Sequence, residues 1–165
     1  MSKLPYEFYN RHVVTVAKEL LGQKFVFGKH HGIITETEAY RGFDDAASHA
    51  YKGKTKRSEI MFGPAGHLYV YMIYGMYFCL NIVCEDVETA GAVLIRGIKL
   101  PDISLDGPGK LCRHLGITKA HNGIDIIDNK TIYISKGLTD YKYKATARIG
   151  IKSATDKMWR FIMTN

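Results

Sequence analysis

The hydrophobic pattern of this chain changes period at Gly22. Pro5 suits the first turn of a helix, where its missing N–H leaves no partner unmet. Val13, Ala17 and Leu20, flanked by Val14 and Leu21, then recur at the spacing of one helix face, and Gly22 is the expected stop. Beyond it the period falls to two. Residues 24–27 read as a short strand and residues 33–40 alternate. Residues 68–74 and 77–83 are two strand-like runs around Gly75-Met76, the pattern of a hairpin. Residues 92–98 predict another strand. Gly107-Pro108-Gly109 opens a short helix bearing Leu111, Cys112 and Leu115, closed by Gly116, and residues 132–134 and 147–151 predict later strands. No repeat, low-complexity tract or Pro/Gly/Ser linker divides the chain. The expectation is one mixed α+β domain over residues 1–165, with helices packed against a largely antiparallel sheet.

That pattern places candidate chemistry on particular faces. A period of two puts Glu36, Glu38 and Tyr40 on one side of their strand, and His49 follows soon after. Two carboxylates at this spacing stand about 6–7 Å apart at their backbones. Mutual repulsion, or burial beside an aromatic ring, would raise the pKa of one and make it a usable general base. A solvated acidic strand face has the same pattern. On the hairpin, Tyr69 and Tyr71 share a face, where half-buried structural tyrosines are common. Tyr74 falls at or near the tip, and an aromatic exposed there suits a wedge that unstacks a base step.

Composition narrows the partners. The chain has 165 residues, a formal net charge of +7 and a pI near 9.3, which favours a polyanionic partner such as nucleic acid or an anionic surface. Lys52, Lys54, Lys56 and Arg57 form a basic run before Met61-Phe62-Gly63-Pro64, and Lys142, Lys144, Arg148, Lys152, Lys157 and Arg160 add charge near the C-terminus. Such runs often form only a solvated face. Around an aromatic-rich middle they are the combination expected of nucleic-acid binding. Cys79, Cys84 and Cys112 lack Cys-x-x-Cys spacing and form an odd set, so free thiols in a reducing compartment are expected. The N-terminus has no apolar signal region, and the most apolar run is broken by Gly75 and Asn81, so the expectation is a cytoplasmic protein with no membrane partner.

Several familiar chemistries are absent. Gly109-Lys110 has the ending of a P-loop, but Ser104 stands where the first glycine is required and Leu111 follows the lysine. The histidines show neither His-Glu-x-x-His nor His-x-Glu, so no catalytic metal or other cofactor is expected. No Gly-x-Ser-x-Gly elbow exists. A carbohydrate hydrolase would also use two carboxylates beside a glycosidic bond. Against it stand the basic charge and a single tryptophan, Trp159, close to the C-terminus.

Several ordered blocks resemble the alkyladenine (3-methyladenine) DNA glycosylases. They are Glu36-Thr37-Glu38-Ala39-Tyr40-Arg41-Gly42, Asp45-Ala46-Ala47-Ser48-His49, Met61-Phe62-Gly63-Pro64-Ala65-Gly66 and the run from Leu68 through Tyr74-Gly75-Met76 to Asn81. Ala92-Val93-Leu94-Ile95-Arg96, Gly107-Pro108-Gly109-Lys110-Leu111-Cys112 and Arg148-Ile149-Gly150-Ile151 follow in family order. The resemblance implies a curved sheet with a protruding hairpin, and a monomeric, metal-free enzyme that excises damaged purines from double-stranded DNA. It implies that Glu38 activates the attacking water and Arg96 helps hold it. Tyr40, His49 and Tyr71 would stack on and hydrogen-bond the extruded base, while Asn81 would disfavour the exocyclic amine of normal guanine. Tyr74 would intercalate, with Met76, Tyr77, Lys54, Arg57 and Lys110 as further DNA contacts. A non-catalytic nucleic-acid-binding module on the same scaffold is the alternative. One departure stands out: only nine residues separate Arg96 from Asp106, where relatives carry a longer insert.

Overall fold

The computed structural model describes residues 2–164. Two short helices, α1 (Tyr6–Tyr9) and α2 (Val13–Leu20), precede a nine-stranded sheet. The N-terminal apolar pattern therefore belongs to two helices, and the chain reverses at Asn10 to His12. His12 caps α2 by accepting from the Val14 N–H at 3.2 Å, and Gly22 follows with a φ of 81°.

The strands are β1 (Lys24–Phe27), β2 (His30–Tyr40), β3 (Leu68–Ile73), β4 (Tyr77–Val83), β5 (Ala92–Lys99), β6 (Ser104–Asp106), β7 (Ile132–Ser135), β8 (Tyr143–Thr146) and β9 (Arg160–Met163). The main path runs β3-β4-β5-β2-β1-β7, with β6 added to β5 and the β8–β9 hairpin added to β2. Every pairing is antiparallel. Helix α2 covers one face, where the Thr37 hydroxyl donates to the Ala17 carbonyl at 2.8 Å. Helix α3 (Pro108–Leu115) packs on β4 and β5 through Leu111, Cys112 and Leu115, and ends at Gly116 in the left-handed region. The fold is the α+β arrangement the pattern predicts, with a curled antiparallel sheet.

Two local readings need correction, and one short segment gains a structure. Residues 147–151 form no strand: the last hairpin uses residues 143–146 and 160–163, and the expected segment is an irregular loop beside β2. The hairpin turn is Tyr74-Gly75, not Gly75-Met76. The Met76 N–H donates to the Ile73 carbonyl at 3.1 Å, and Tyr74 and Gly75 take φ values of 53° and 66°. Positive φ at both central residues matches the twist of the flanking strands. Finally, Arg96 to Asp106 folds as a tight hairpin, with β6 pairing back onto the end of β5.

A β-bulge decides what the central strands present. The β2–β5 ladder pairs Ile34 with Ile98, Glu36 with Gly97 and Thr37 with Ile95, so Thr35 and Arg96 fall between ladder pairs. Ile34 and Ile98 face the helix-covered core before the irregularity, and Thr37, Ala39, Ile95 and Val93 face it afterwards. Each strand thus changes parity once, and Glu36, Glu38, Tyr40 and Arg96 come out together on the opposite face. Gly97 makes the close approach possible: a Cβ there would meet the Thr35 hydroxyl at 2.6 Å and the Glu36 Cβ at 3.2 Å. Gly97→Ala should therefore destabilise the fold by about 1–3 kcal/mol. Urea unfolding at neutral pH reads this directly, and an unchanged midpoint would show that the bulge does not depend on the missing side chain.

Candidate active site

On that opposite face a cavity of about 340 Å³ opens between the hairpin root, β2, β5 and the start of α3. This is within the roughly 300–1,000 Å³ range of small-molecule sites. Tyr40, His49, Tyr69, Tyr71, Asn81 and Arg96 line it, with Pro108 and residues 149–151 on the remaining wall. Six of the residues singled out from sequence are thus brought together here: Tyr40, His49, Tyr71, Tyr74, Asn81 and Arg96.

Glu38 stands immediately behind this wall and has no exposed surface. Its Oε1 accepts from the Tyr40 hydroxyl at 2.8 Å and its Oε2 from the Ile149 N–H at 2.6 Å. Arg96 Nη1 lies 3.7 Å from Oε1, too far for a hydrogen bond but close enough for charge attraction. All three neighbours line the cavity. Burial pushes the Glu38 pKa up, and the Ile149 N–H, Arg96, Tyr40 and Arg160 only partly offset it. A carboxylate accepts at about four lone-pair positions, so two hydrogen bonds leave acceptor capacity for a water.

The aromatic walls form one packed group. His49 lies edge-on to Tyr71 at 4.6 Å and Tyr69 is tilted against Tyr71 at 5.1 Å. His49 Nδ1 and the Tyr69 hydroxyl are 3.0 Å apart. Burial, assisted by Arg57, holds the His49 pKa below its ordinary value, which leaves the imidazole neutral near pH 7. Asn81 is buried, and its amide donates to the Tyr69 carbonyl across the hairpin at 3.1 Å, which fixes the side chain against the slot. Tyr69, read from sequence as a structural residue, is both: it belongs to a small core under the slot and it lines the cavity.

Behind Tyr40 lies a feature that charge counting misplaces. Arg148 was expected on a basic surface, yet its side chain has no exposed area and clamps Asp45 in a two-pronged pair, at 2.6 and 2.7 Å. The guanidinium also donates to the Ala39 carbonyl at 3.0 Å and lies between the rings of Tyr40 and Trp159, at 4.7 and 5.1 Å. The lone tryptophan is therefore not remote from the site. Asp45 in turn accepts from the backbone N–H groups of Arg41 and Ala47. One ion pair thus ties the 41–49 loop, which supplies Ala47 and His49, to the loop that delivers the Ile149 N–H to Glu38. Sequence spacing carries no signal for a pairing across 103 residues. Arg160, also counted as surface charge, pairs with Glu36 at 2.7 Å.

The outer rim is different. Tyr74 and Met76 are 85% and 65% exposed at the hairpin tip, and Tyr77 is partly exposed with its ring against Gly109 at the start of α3. Arg57 sits over the Tyr71 ring at 5.1 Å, and Lys110 is exposed on α3. Lys54 is engaged with Glu88 at 2.9 Å and lies over Phe62, away from the cavity. Among the described residues no helix is long and apolar enough to cross a membrane. Cys79, Cys84 and Cys112 are free and buried, and burial raises each thiol pKa.

The fold and site define a class: an aromatic cavity backed by a buried carboxylate, beneath an exposed tyrosine, on a basic α+β scaffold. Comparison with known proteins gives that class a family. The model of the methylpurine-DNA glycosylase (MPG) family matches residues 7–165, and the chain belongs to this family. A protein of Rickettsia felis is 48% identical over 98% of this chain and 93% of its own length. One from Ehrlichia chaffeensis is 49% identical over 97% and 92% respectively. Both carry the name "Putative 3-methyladenine DNA glycosylase".

The Asp45–Arg148 pair makes a quantitative prediction. Although burial alone would raise it, the Asp45 pKa is held below its ordinary value by Arg148 and by the Arg41 and Ala47 N–H groups. A depressed pKa contributes stability that is complete above the unfolded value, about 3.9, and is lost as pH falls through the folded value. Asp45→Asn leaves a buried guanidinium without its counter-charge and should cost about 3–5 kcal/mol at pH 7. The gap from the unaltered protein should narrow below about pH 4. Denaturant titrations of both proteins at pH 7 and pH 3.5 check this, and equal midpoints at pH 7 would remove the clamp from the account.

Proposed function

We propose that the protein is a monofunctional DNA glycosylase of base excision repair. It turns a damaged purine out of duplex DNA into the cavity and hydrolyses the bond to deoxyribose with a water activated by Glu38. The observation that carries this reading is a fully buried carboxylate, its pKa raised by that burial, whose three polar neighbours all line one aromatic slot. Such a group is a liability for folding. With its folded pKa above the unfolded value, Glu38 costs stability at every pH where it is ionised. A module that only bound DNA would gain nothing from that cost.

The chemistry follows from the arrangement. Tyr74 fills the space the nucleotide leaves, offsetting an extrusion cost of a few kcal/mol that is smaller for a damaged or mispaired base. The base enters between Tyr40, His49 and Tyr71. An alkylated purine such as 3-methyladenine or 7-methylguanine carries positive charge, is attracted to electron-rich rings and leaves as a neutral molecule. The water oxygen bonds to C1′ of the deoxyribose as the C1′–N bond breaks, the electron pair departs with the base, and Glu38 takes the water's proton. Arg96 holds that water beside the carboxylate. Hypoxanthine and ethenoadenine fit the same slot and require protonation as they leave. Asn81, fixed by its bond to the Tyr69 carbonyl, discriminates against the exocyclic amine of guanine, because an unmatched polar group there would be left unpaired. Met76, Tyr77, Arg57 and Lys110 contact the surrounding DNA.

Two measurements test the reading. Glu38→Gln should abolish release of base from a duplex holding a single hypoxanthine or ethenoadenine while leaving DNA affinity largely intact. In the unaltered protein the single-turnover rate should fall on the acid side with an apparent pKa above that of an ordinary glutamate, about 4.3. Release by the glutamine variant at the unaltered rate contradicts the assignment. Tyr74→Ala should weaken lesion binding and slow excision at saturating enzyme, and a lesion affinity equal to that of the unaltered protein would exclude the wedge.

A further inference from the structure

Glu36 lies one alternation along β2 from Glu38, and its surroundings are unlike those of its neighbour. A single oxygen, Oε2, accepts from Arg96 Nε at 3.0 Å and from Arg160 Nε at 2.7 Å. The two arginines come from strands on opposite sides of β2, β5 and β9. Arg160 is further held by donation to the Thr146 hydroxyl at 3.2 Å. Arg96 is gripped through Nε, it lines the cavity, and its Nη1 stops 3.7 Å short of Glu38 Oε1.

A free guanidinium beside a buried carboxylate has a strong alternative. It closes into a two-pronged pair with parallel N–H···O bonds, as Arg148 does with Asp45 at 2.6 and 2.7 Å in this same molecule. Closure of Arg96 on Glu38 would occupy the lone pairs needed for a water and stabilise the ionised form too well for it to take a proton. We propose that Glu36 is a positioning residue that keeps Arg96 and Arg160 off Glu38, so that the base stays unlocked while Arg96 still lines the cavity. This rests on the reading of Glu38 as the general base. The groups facing Glu38 are Tyr40 and Glu36 on its own strand, Arg96 on β5, Arg160 on β9, the Cys79 thiol on β4 and the Ile149 N–H from the adjoining loop. Only Glu36 holds both arginines.

The test uses Glu36→Gln and Glu36→Asp in the full-length protein, with a duplex carrying one ethenoadenine. Active fractions are titrated, and single-turnover rates are followed across pH. Glu36→Gln should lower the plateau rate about ten- to a hundred-fold. It should also move the acid limb down by about one pH unit, as Arg96 closes on Glu38 and a neighbouring negative charge is lost. Affinity for the lesion duplex should be unchanged. Glu36→Asp keeps the charge and should recover part of the rate and most of the limb position, and it carries the same test if the glutamine variant does not fold. In an Arg96→Gln background, Glu36→Gln should add little. A variant that melts earlier but whose active fraction shows the unaltered plateau and limb overturns the proposal, since Glu36 would then be a structural ion pair only. Full activity of Glu38→Gln would overturn the base assignment instead, and that variant alone distinguishes the two failures.

Discussion

Arg148 and Asp45 meet with no exposed side-chain surface, and the cavity face is arranged around that meeting. The guanidinium sits between Tyr40 and Trp159, holds the Ala39 carbonyl, and leads directly into the Ile149 N–H that Glu38 accepts. Asp45 draws the 41–49 loop inward, and with it His49. Taking two charges out of water is costly, and it is tolerated only where their remaining hydrogen-bonding groups find partners. Here Asp45 accepts from Arg148, Arg41 and Ala47, and Arg148 also donates to the Ala39 carbonyl, while its Nε is buried without a partner. Neither loop has regular secondary structure, so the pair replaces the ladder of hydrogen bonds that would otherwise hold such segments in register.

A second constraint works through the sheet. The irregularity at Thr35 and Arg96 changes the parity of β2 and β5 together. Without it, the alternation that buries Ile34 and Ile98 in the helix-covered core would carry Thr37 and Ile95 to the wrong face. The same irregularity sets Arg96 beside Glu36 and Glu38. Glu38, the proposed general base, is thus buried by the packing that stabilises the fold, and its raised pKa is the consequence. The site is held in place by three ion pairs, Asp45 with Arg148 behind Tyr40 and Glu36 with both Arg96 and Arg160.

Much of this was legible in the residues. The alternation through Glu36, Glu38 and Tyr40 survives because the extra residue on β2, Thr35, lies before all three and the compensating one, Arg96, lies on β5. The hairpin runs, the short helix after Gly107 and the exposed Tyr74 follow from local periodicity and turn chemistry. What stayed hidden depends on contacts distant in sequence. Arg148 and Arg160 read as surface charge because nothing local marks their carboxylate partners. The strand expected at residues 147–151 has suitable side chains, but its backbone is used to bond Glu38 and line the cavity, and the ladder forms at residues 143–146 instead. The turn lies one residue earlier than expected, at Tyr74-Gly75, because a tyrosine with positive φ is unusual and local sequence does not announce it.

The Ile149 amide joins the clamped loop to the Glu38 carboxylate at 2.6 Å without belonging to any sheet or helix. Amide hydrogen exchange at this one residue is the most direct test. If the Asp45–Arg148 pair organises the site, the Ile149 N–H exchanges as slowly as amides of the central strands. In Arg148→Lys it should become fast while the β2–β5 ladder stays protected. Rapid exchange at Ile149 in the unaltered protein, or protection that survives the lysine substitution, would mean that the buried pair does not hold the loop against Glu38.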